Sequence, residues 1–279
     1  MSRRFRVCSA VAAVLAASLE RPAAEAREQT PPAAPAQFEV ASIRRNISGD
    51  PEGSIGAQPG GRFHARNVSL RFIIQVAHDL PTFRLTGGPA WIDQEHYDIQ
   101  AKAADAVPGP QLYAMMRTLL SDRFKLALRA ETRTVAGFAL VRSRANGPLG
   151  PGLQAHPEPC GPLPVTALPT EGPDGMPPCG MGSGSDRRLR FSARPLTDLV
   201  AHLSRRVARP VVDRTGLEGP FDIRLDWSAD TQSSAPLTQP SDGVSLFTAL
   251  QEQLGLKLQS ERVDAEFFVI DRVERPAED

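Results

Sequence analysis

The chain is short of several things, and each shortage removes a class of protein. It has three cysteines in 279 residues, at positions 8, 160 and 179. That is too few for a Cys-x-x-Cys metal framework with two halves. Lys102, Lys125 and Lys257 are its only lysines, so the basic residues are almost all arginine. This reads as a bias of composition and does not mark an arginine-built site. Formal net charge is zero, which leaves no surplus to predict a nucleic-acid or anionic-membrane partner. Beyond Leu19 no apolar run approaches the roughly 20 residues that a membrane-spanning helix requires. Thr215–Pro220 (TGLEGP) lacks the lysine and the length of a phosphate loop. Ser183, Ser185 and Asp186 lie in GSGSD without the strand-turn-helix context of a nucleophile elbow.

What is present begins with an address. Arg3, Arg4 and Arg6 precede an apolar stretch from Val7 to Leu19, and Ala24-Glu25-Ala26 follows. Positive start, short apolar core and small-residue exit predict a secretory signal peptide over 1–26. Cys8 opens the apolar core, where a lipid-attachment cysteine would not stand. The mature chain is therefore expected outside the cytoplasm, periplasmic or secreted, with no membrane span. An oxidising compartment predicts that Cys160 and Cys179 pair. By the chain-entropy model a loop of that size is worth roughly 3 kcal/mol. The alternative for these cysteines is a metal site, for which His156 supplies only a third ligand.

After a flexible lead-in over 27–37, the chain repeats itself. A strand at Phe38–Ile43 and a Gly-rich loop over 49–61 come first. Then Arg62–Arg66 reads as a strand and Asn67 as a helix N-cap. Leu70, Ile73, Ile74 and Ala77 form one apolar helix face. The second copy opens at Phe191-Ser192-Ala193-Arg194, with Leu196, Leu199, Val200, Leu203 and Val207 as its helix face. Phe-x-Ala-Arg is common to both starts. A Gly/Pro turn follows in each copy, then an alternating strand: Tyr97, Ile99 and Ala101 in one, Phe221, Ile223, Leu225 and Trp227 in the other. Second helices follow at Leu112, Met115, Met116, Leu119, Leu120 and at Leu246, Ala249, Leu250, Leu254, the latter ended by Gly255. Helical spacing makes the methionines core filler. Phe124–Leu126 or Leu256–Leu258, a polar turn and a last strand (Gly137–Val141, Phe267–Asp271) close each copy. The expected fold class is α+β: duplicated β-α-β-β-α-β-β units, 38–142 and 188–279, each a small sheet covered by two helices. A Pro/Gly-rich linker over 143–187 joins them.

Several of these segments resemble a known family. Phe38–Asn46 (FEVASIRRN), Gly87–Ile92 (GGPAWI), Tyr97–Lys102 (YDIQAK) and Leu119–Leu126 (LLSDRFKL) carry the likeness in the first half. Pro210–Gly219 (PVVDRTGLEG), Gln251–Leu258 (QEQLGLKL) and Val269–Pro276 (VIDRVERP) carry it in the second. From about Phe38 onward the chain is similar to an uncharacterised exported, soil-associated family of acidobacteria, a domain of unknown function. The resemblance implies no known activity. The family usually has a histidine where this chain has Arg129, two residues before Glu131-Thr132, which argues against an obligatory catalytic histidine there. Fusion of the domain, in some relatives, to a membrane metallopeptidase of the antibiotic-sensor type implies sensing. More remotely, the second half is similar to the short N-terminal domain of secretins and TonB-dependent receptors, an interaction module.

Asp93, Glu95, His96 and Asp98 are the one cluster that suggests chemistry, since carboxylates beside an imidazole make an acid/base pair or a divalent-metal site. The plainer expectation is a solvated turn entering a strand, with Asp98, Gln100 and Lys102 on the wet face. Trp91 reads as a core anchor, with a ligand-stacking platform as the alternative. His78 and His202 read as ordinary helical histidines. With no complete catalytic set and no cofactor motif, the expected function is a non-enzymatic extracytoplasmic binding or sensing module with a protein or envelope partner. The alternative is an extracytoplasmic hydrolase using Asp93 to Asp98.

Overall fold

Two patterns of apolar spacing divide the chain between strands and helices, and the strands dominate. The computed structural model describes residues 36–145, 147–157, 160, 175–228 and 244–277; the signal-peptide segment 1–26 lies outside them. The described residues form twelve strands in three four-stranded sheets, with five helices, a mixed α+β fold.

The first sheet has the order β1-β5-β3-β2, built from β1 (Val40–Asn46), β2 (Ser54–Gln58), β3 (Arg62–Ser69) and β5 (His96–Lys102). Period-2 alternation buries Phe63, Ala65, Tyr97, Ile99 and Ala101 on one face and leaves the other to polar residues. Against the apolar face pack α1 (Leu70–Ala77) and α3 (Gly109–Phe124), whose stripes at Leu70, Ile73, Ile74 and at Met116, Leu120, Phe124 are fully buried. Both methionines of α3 are core. The N-cap of α1 is Ser69, whose hydroxyl accepts from the Phe72 amide, and not Asn67 as the sequence suggested. Asn67 stands instead in a left-handed conformation, φ 51°, at an irregularity of β3.

The third sheet has the order β7-β11-β9-β8: β7 (Leu153–Ala155), β8 (Gly182–Gly184), β9 (Arg188–Pro195) and β11 (Pro220–Asp226). Its apolar face meets α4 (Leu196–Val207), α5 (Leu246–Ala249) and a π turn over Leu250–Leu254. Gly255, at φ 69°, closes that turn in the left-handed region. The stretch 143–187, read as a linker, thus supplies β7 and β8. The shared Phe-x-Ala-Arg letters also occupy different places: Phe63 lies opposite Ala101, whereas Phe191 lies opposite Ile223.

The second sheet, β10-β6-β12-β4, departs most from expectation. The segment after α3 is not a strand, a polar turn and another strand. It is one 16-residue strand, β6 (Ala127–Arg142), paired antiparallel along its length with the 17-residue β12 (Leu256–Arg272). Phe124 still belongs to α3, and Lys125 caps it at φ 51°. The short β4 (Leu85–Gly87) pairs parallel with β12, and β10 (Val211–Asp213) pairs parallel with β6. Each half's short strand therefore lies on the other half's long one. The cores follow the exchange: Ile270 of β12 packs with the first core, Leu140 of β6 with the second. Gly137 is where β10 comes in, since a Cβ there would stand 2.5 Å from the Pro210 carbonyl oxygen.

Candidate functional site

The acidic cluster is where the sequence points first, and the structure divides it among separate partners. Asp93, in the short helix α2 (Trp91–Gln94), accepts from Arg71 Nε at 2.5 Å on the surface. Glu95 turns inward and is 8% exposed. It accepts from Arg275 Nη2 at 2.8 Å and Nε at 3.1 Å, and from the Tyr97 hydroxyl at 3.0 Å. The guanidinium of Arg275 also lies over the Trp91 ring, 4.8 Å from its centroid. One face of Trp91 is thus already covered by a cation, and the ring packs against the first core.

Hydrogen bonding from Arg275 holds the Glu95 carboxyl below its ordinary range, against the opposing effect of burial, with Tyr97 and Arg45 assisting. Burial, and then Glu95, push the Tyr97 hydroxyl up to about 12. Because the folded state holds Glu95 ionised more tightly than the unfolded chain does, this contribution to stability is present above about pH 4.5 and is lost as the pH falls below it. Such an acid is a poor general acid or base near neutrality.

Asp98 has a third task. One carboxylate oxygen accepts from the backbone amide of left-handed Asn67 at 2.8 Å, and the Asn46 side-chain amide donates to both oxygens at 2.9 and 3.0 Å. Asp222 does the same in the third sheet. It accepts from the amide of Ala193, φ 50°, at 2.8 Å, and pairs with His156 Nδ1 at 3.1 Å. Burial raises the Asp222 pKa, but the Ala193 amide and His156 outweigh it and the net shift is downward. The Asp in Tyr97-Asp98-Ile99 and in Phe221-Asp222-Ile223 is there to satisfy an amide that the left-handed residue pulls out of the ladder. Asp98→Ala is expected to lower the unfolding free energy by about 1–3 kcal/mol, the cost of leaving a part-buried donor unmet. Urea denaturation measures it, and a change within error of zero would show that the carboxylate is dispensable.

His96 pairs across the sheet with Asn46 and Ser69. The four residues of the cluster therefore take four sets of neighbours, and among the described residues no group of three or more His, Cys, Asp or Glu could hold a metal ion. Cys160 and Cys179 are joined as a disulfide, which leaves no thiolate for the alternative metal site; His156 Nε2 lies 3.8 Å from Cys179 Sγ.

A concave feature lies elsewhere, on the polar face of the first sheet. A hollow of about 860 Å³ is lined by residues of all four strands, among them Ser42, Gln58, Arg62, His64, Gln100 and Lys102. His64 Nδ1 donates to the Gly56 carbonyl at 3.1 Å, which fixes the ring. Sequence reading found the wet side of β5, but not β2, which it left in a loop, nor the way β3 continues the same face. The alternation of Arg62, His64 and Arg66 with Phe63 and Ala65 was the available signal.

The described residues thus form a three-sheet α+β protein with an open polar sheet face, in which Asp93, Glu95 and Asp98 are each engaged by neighbouring groups. Residues 71–273 match the family described as "Protein of unknown function (DUF3738)", and the chain belongs to that family. No curated protein and no solved structure matches the chain.

Proposed function

We propose that the protein is an exported, non-enzymatic binding or sensing module that acts through an envelope partner, with the open face of the first sheet as its contact. The observation that carries this reading is the contrast between two regions. Asp93, Glu95 and Asp98 are each engaged by structural partners, whereas the polar face of the first sheet is concave and open. The leader at 1–26 and the Cys160–Cys179 disulfide support export. No helix among the described residues is long and apolar enough to cross a membrane.

The reading includes an internal duplication, joined to an acidobacterial family origin and a secretin-like second half. Supporting it, β3 and β5 pair Arg62 with Lys102, Ala65 with Ile99 and Val68 with Tyr97. With the same step, β9 and β11 pair Arg188 with Asp226, Phe191 with Ile223 and Arg194 with Phe221. The hydrolase alternative has less behind it, because its four residues do not converge.

In native envelopes, photo-crosslinkers placed at Gln100 and Gln58 are expected to trap one defined partner, and crosslinkers at Arg262 on β12 are not. A hydrolytic turnover lost in His96→Ala would overturn the reading in favour of the enzyme.

A further inference from the structure

The open face of the first sheet carries a charge arrangement that folding does not require. Arg62 begins β3 directly opposite Lys102 at the end of β5. Both are exposed and both line the hollow. Side chains opposite one another in an antiparallel pair stand about 4.5–5.5 Å apart at Cβ, where like charges destabilise the sheet. Among the described residues no carboxylate lies within ion-pair distance of either cation. The acid nearest in the hollow, Asp98, is already taken by Asn67 and Asn46, and Asp50 is taken by Arg66 at 2.9 Å.

The third sheet resolves the corresponding place differently. Arg188 begins β9 opposite Asp226, which ends β11, and Asp226 accepts from Arg190 at 2.8 and 2.7 Å. One sheet closes the position with a carboxylate of its own; the other puts a second cation there.

We infer that this face binds an anionic group, a phosphate or carboxylate on a polar body, held between Arg62 and Lys102. The inference rests on the binding-module reading and gives it a ligand class. Arg62 offers the planar guanidinium fork that matches a two-oxygen anion, and Lys102 a point charge beside it. One row further along the strands, Ser42 and Gln100 stand opposite each other and supply neutral donors for the body of the ligand. The hollow falls within the roughly 300–1,000 Å³ of small-molecule sites, so the ligand exceeds a bare phosphate ion. The charge zero of the whole chain hides this local surplus.

The test uses the mature chain at low ionic strength, with titration calorimetry against pyrophosphate, citrate and uncharged raffinose, and co-sedimentation with phosphatidylglycerol vesicles. Lys102→Asp installs the pair of the third sheet, and Arg62→Gln removes the fork. Pyrophosphate or citrate is expected to bind with 1:1 stoichiometry, raffinose is not, and each variant is expected to weaken binding at least ~10-fold. Lys102→Asp, relieved of like-charge repulsion, is also expected to melt about 1–3 °C higher, so lost binding will not be lost folding. Preference for pyrophosphate or for citrate supports the proposal and names the anion. Sedimentation with vesicles alone, abolished by Lys102→Asp, supports it with a lipid headgroup as the source. Binding of no anion, or binding insensitive to both variants, overturns it. If envelope crosslinking at Gln100 then persists in Lys102→Asp, only the anion falls and the binding module stands. If crosslinking is absent in the wild type as well, both fall.

Discussion

A fragment covering residues 36–145 is expected to be unfolded when produced alone, and to fold when mixed with a fragment covering 146–279. The first half has a sheet and three helices of its own, yet its long strand β6 has its full-length ladder only with β12. Its short strand β4 also pairs with β12, from Leu85–Phe268 to Gly87–Ile270. Without the second half the fragment loses that ladder and Ile270 from its core, and it leaves Glu95 buried without Arg275. A buried aliphatic side chain alone is worth about 1.5–3 kcal/mol, against a total stability of order 5–15 kcal/mol for a domain. The second half is in the same position, since Leu140 completes its core and β6 carries its β10. Circular dichroism and a denaturant titration decide the matter. A cooperative transition in either fragment alone would refute the exchange as a stabilising feature.

Stability should fall by at least about 1.5 kcal/mol between pH 7 and pH 4.5, as histidines take up protons ahead of most carboxylates. His78, which caps α1, has its pKa lowered from 6.5 to about 4, by burial and then by the charge of Arg117. Burial, then Arg205 and Arg206, lower that of His202 as well. Both groups resist protonation in the folded state. The unfolded chain therefore takes up protons first as pH drops below about 6.5, and stability declines until the folded pKa is reached. For His78 the ceiling is near 3 kcal/mol at about 1.4 kcal/mol per unit; partial exposure brings it to about 1.5 kcal/mol, and His202 adds to it. His78→Gln should flatten about 1.5 kcal/mol of the decline. An unchanged pH slope in a His78→Gln, His202→Gln double variant would show that neither histidine is its source.

The helices and the central strands were legible because one face of each is buried. Leu112, Met116 and Leu120, or Ile99 and Ala101, announce themselves by spacing, and all are buried. The long strands were not legible for the converse reason. Leu128 to Ala136 of β6 contains no buried residue, so nothing in its apolar pattern says strand; its partner β12 supplies the ladder. The partner of β4 could not be read either, since periodicity gives a strand its face and not its neighbour. Left-handed Asn67 and Ala193 carry no glycine to mark them, and so the capping aspartates looked like solvent-facing residues. Glu95 was seen as one acid among four, because Arg275, 180 positions away, gives no local sign of pairing with it.

The ribbon of β6 and β12 also sets the order of events in time. Ala127 waits for Arg272, and Leu85 for Phe268, each more than a hundred positions further along the chain. Closing loops of that length is slow relative to local helix and hairpin formation, and chains dominated by such distant pairings fold in milliseconds to seconds and not in microseconds. Until β12 is delivered, the edge of β6 that it covers stands unpaired and open to pairing with other chains. A chain emerging N-terminus first holds β6 in that state until β12 has followed it, so delivery of β12 acts as the commit step of folding. Deletion of β12 is then expected to show itself less as a trimmed protein than as an aggregated one.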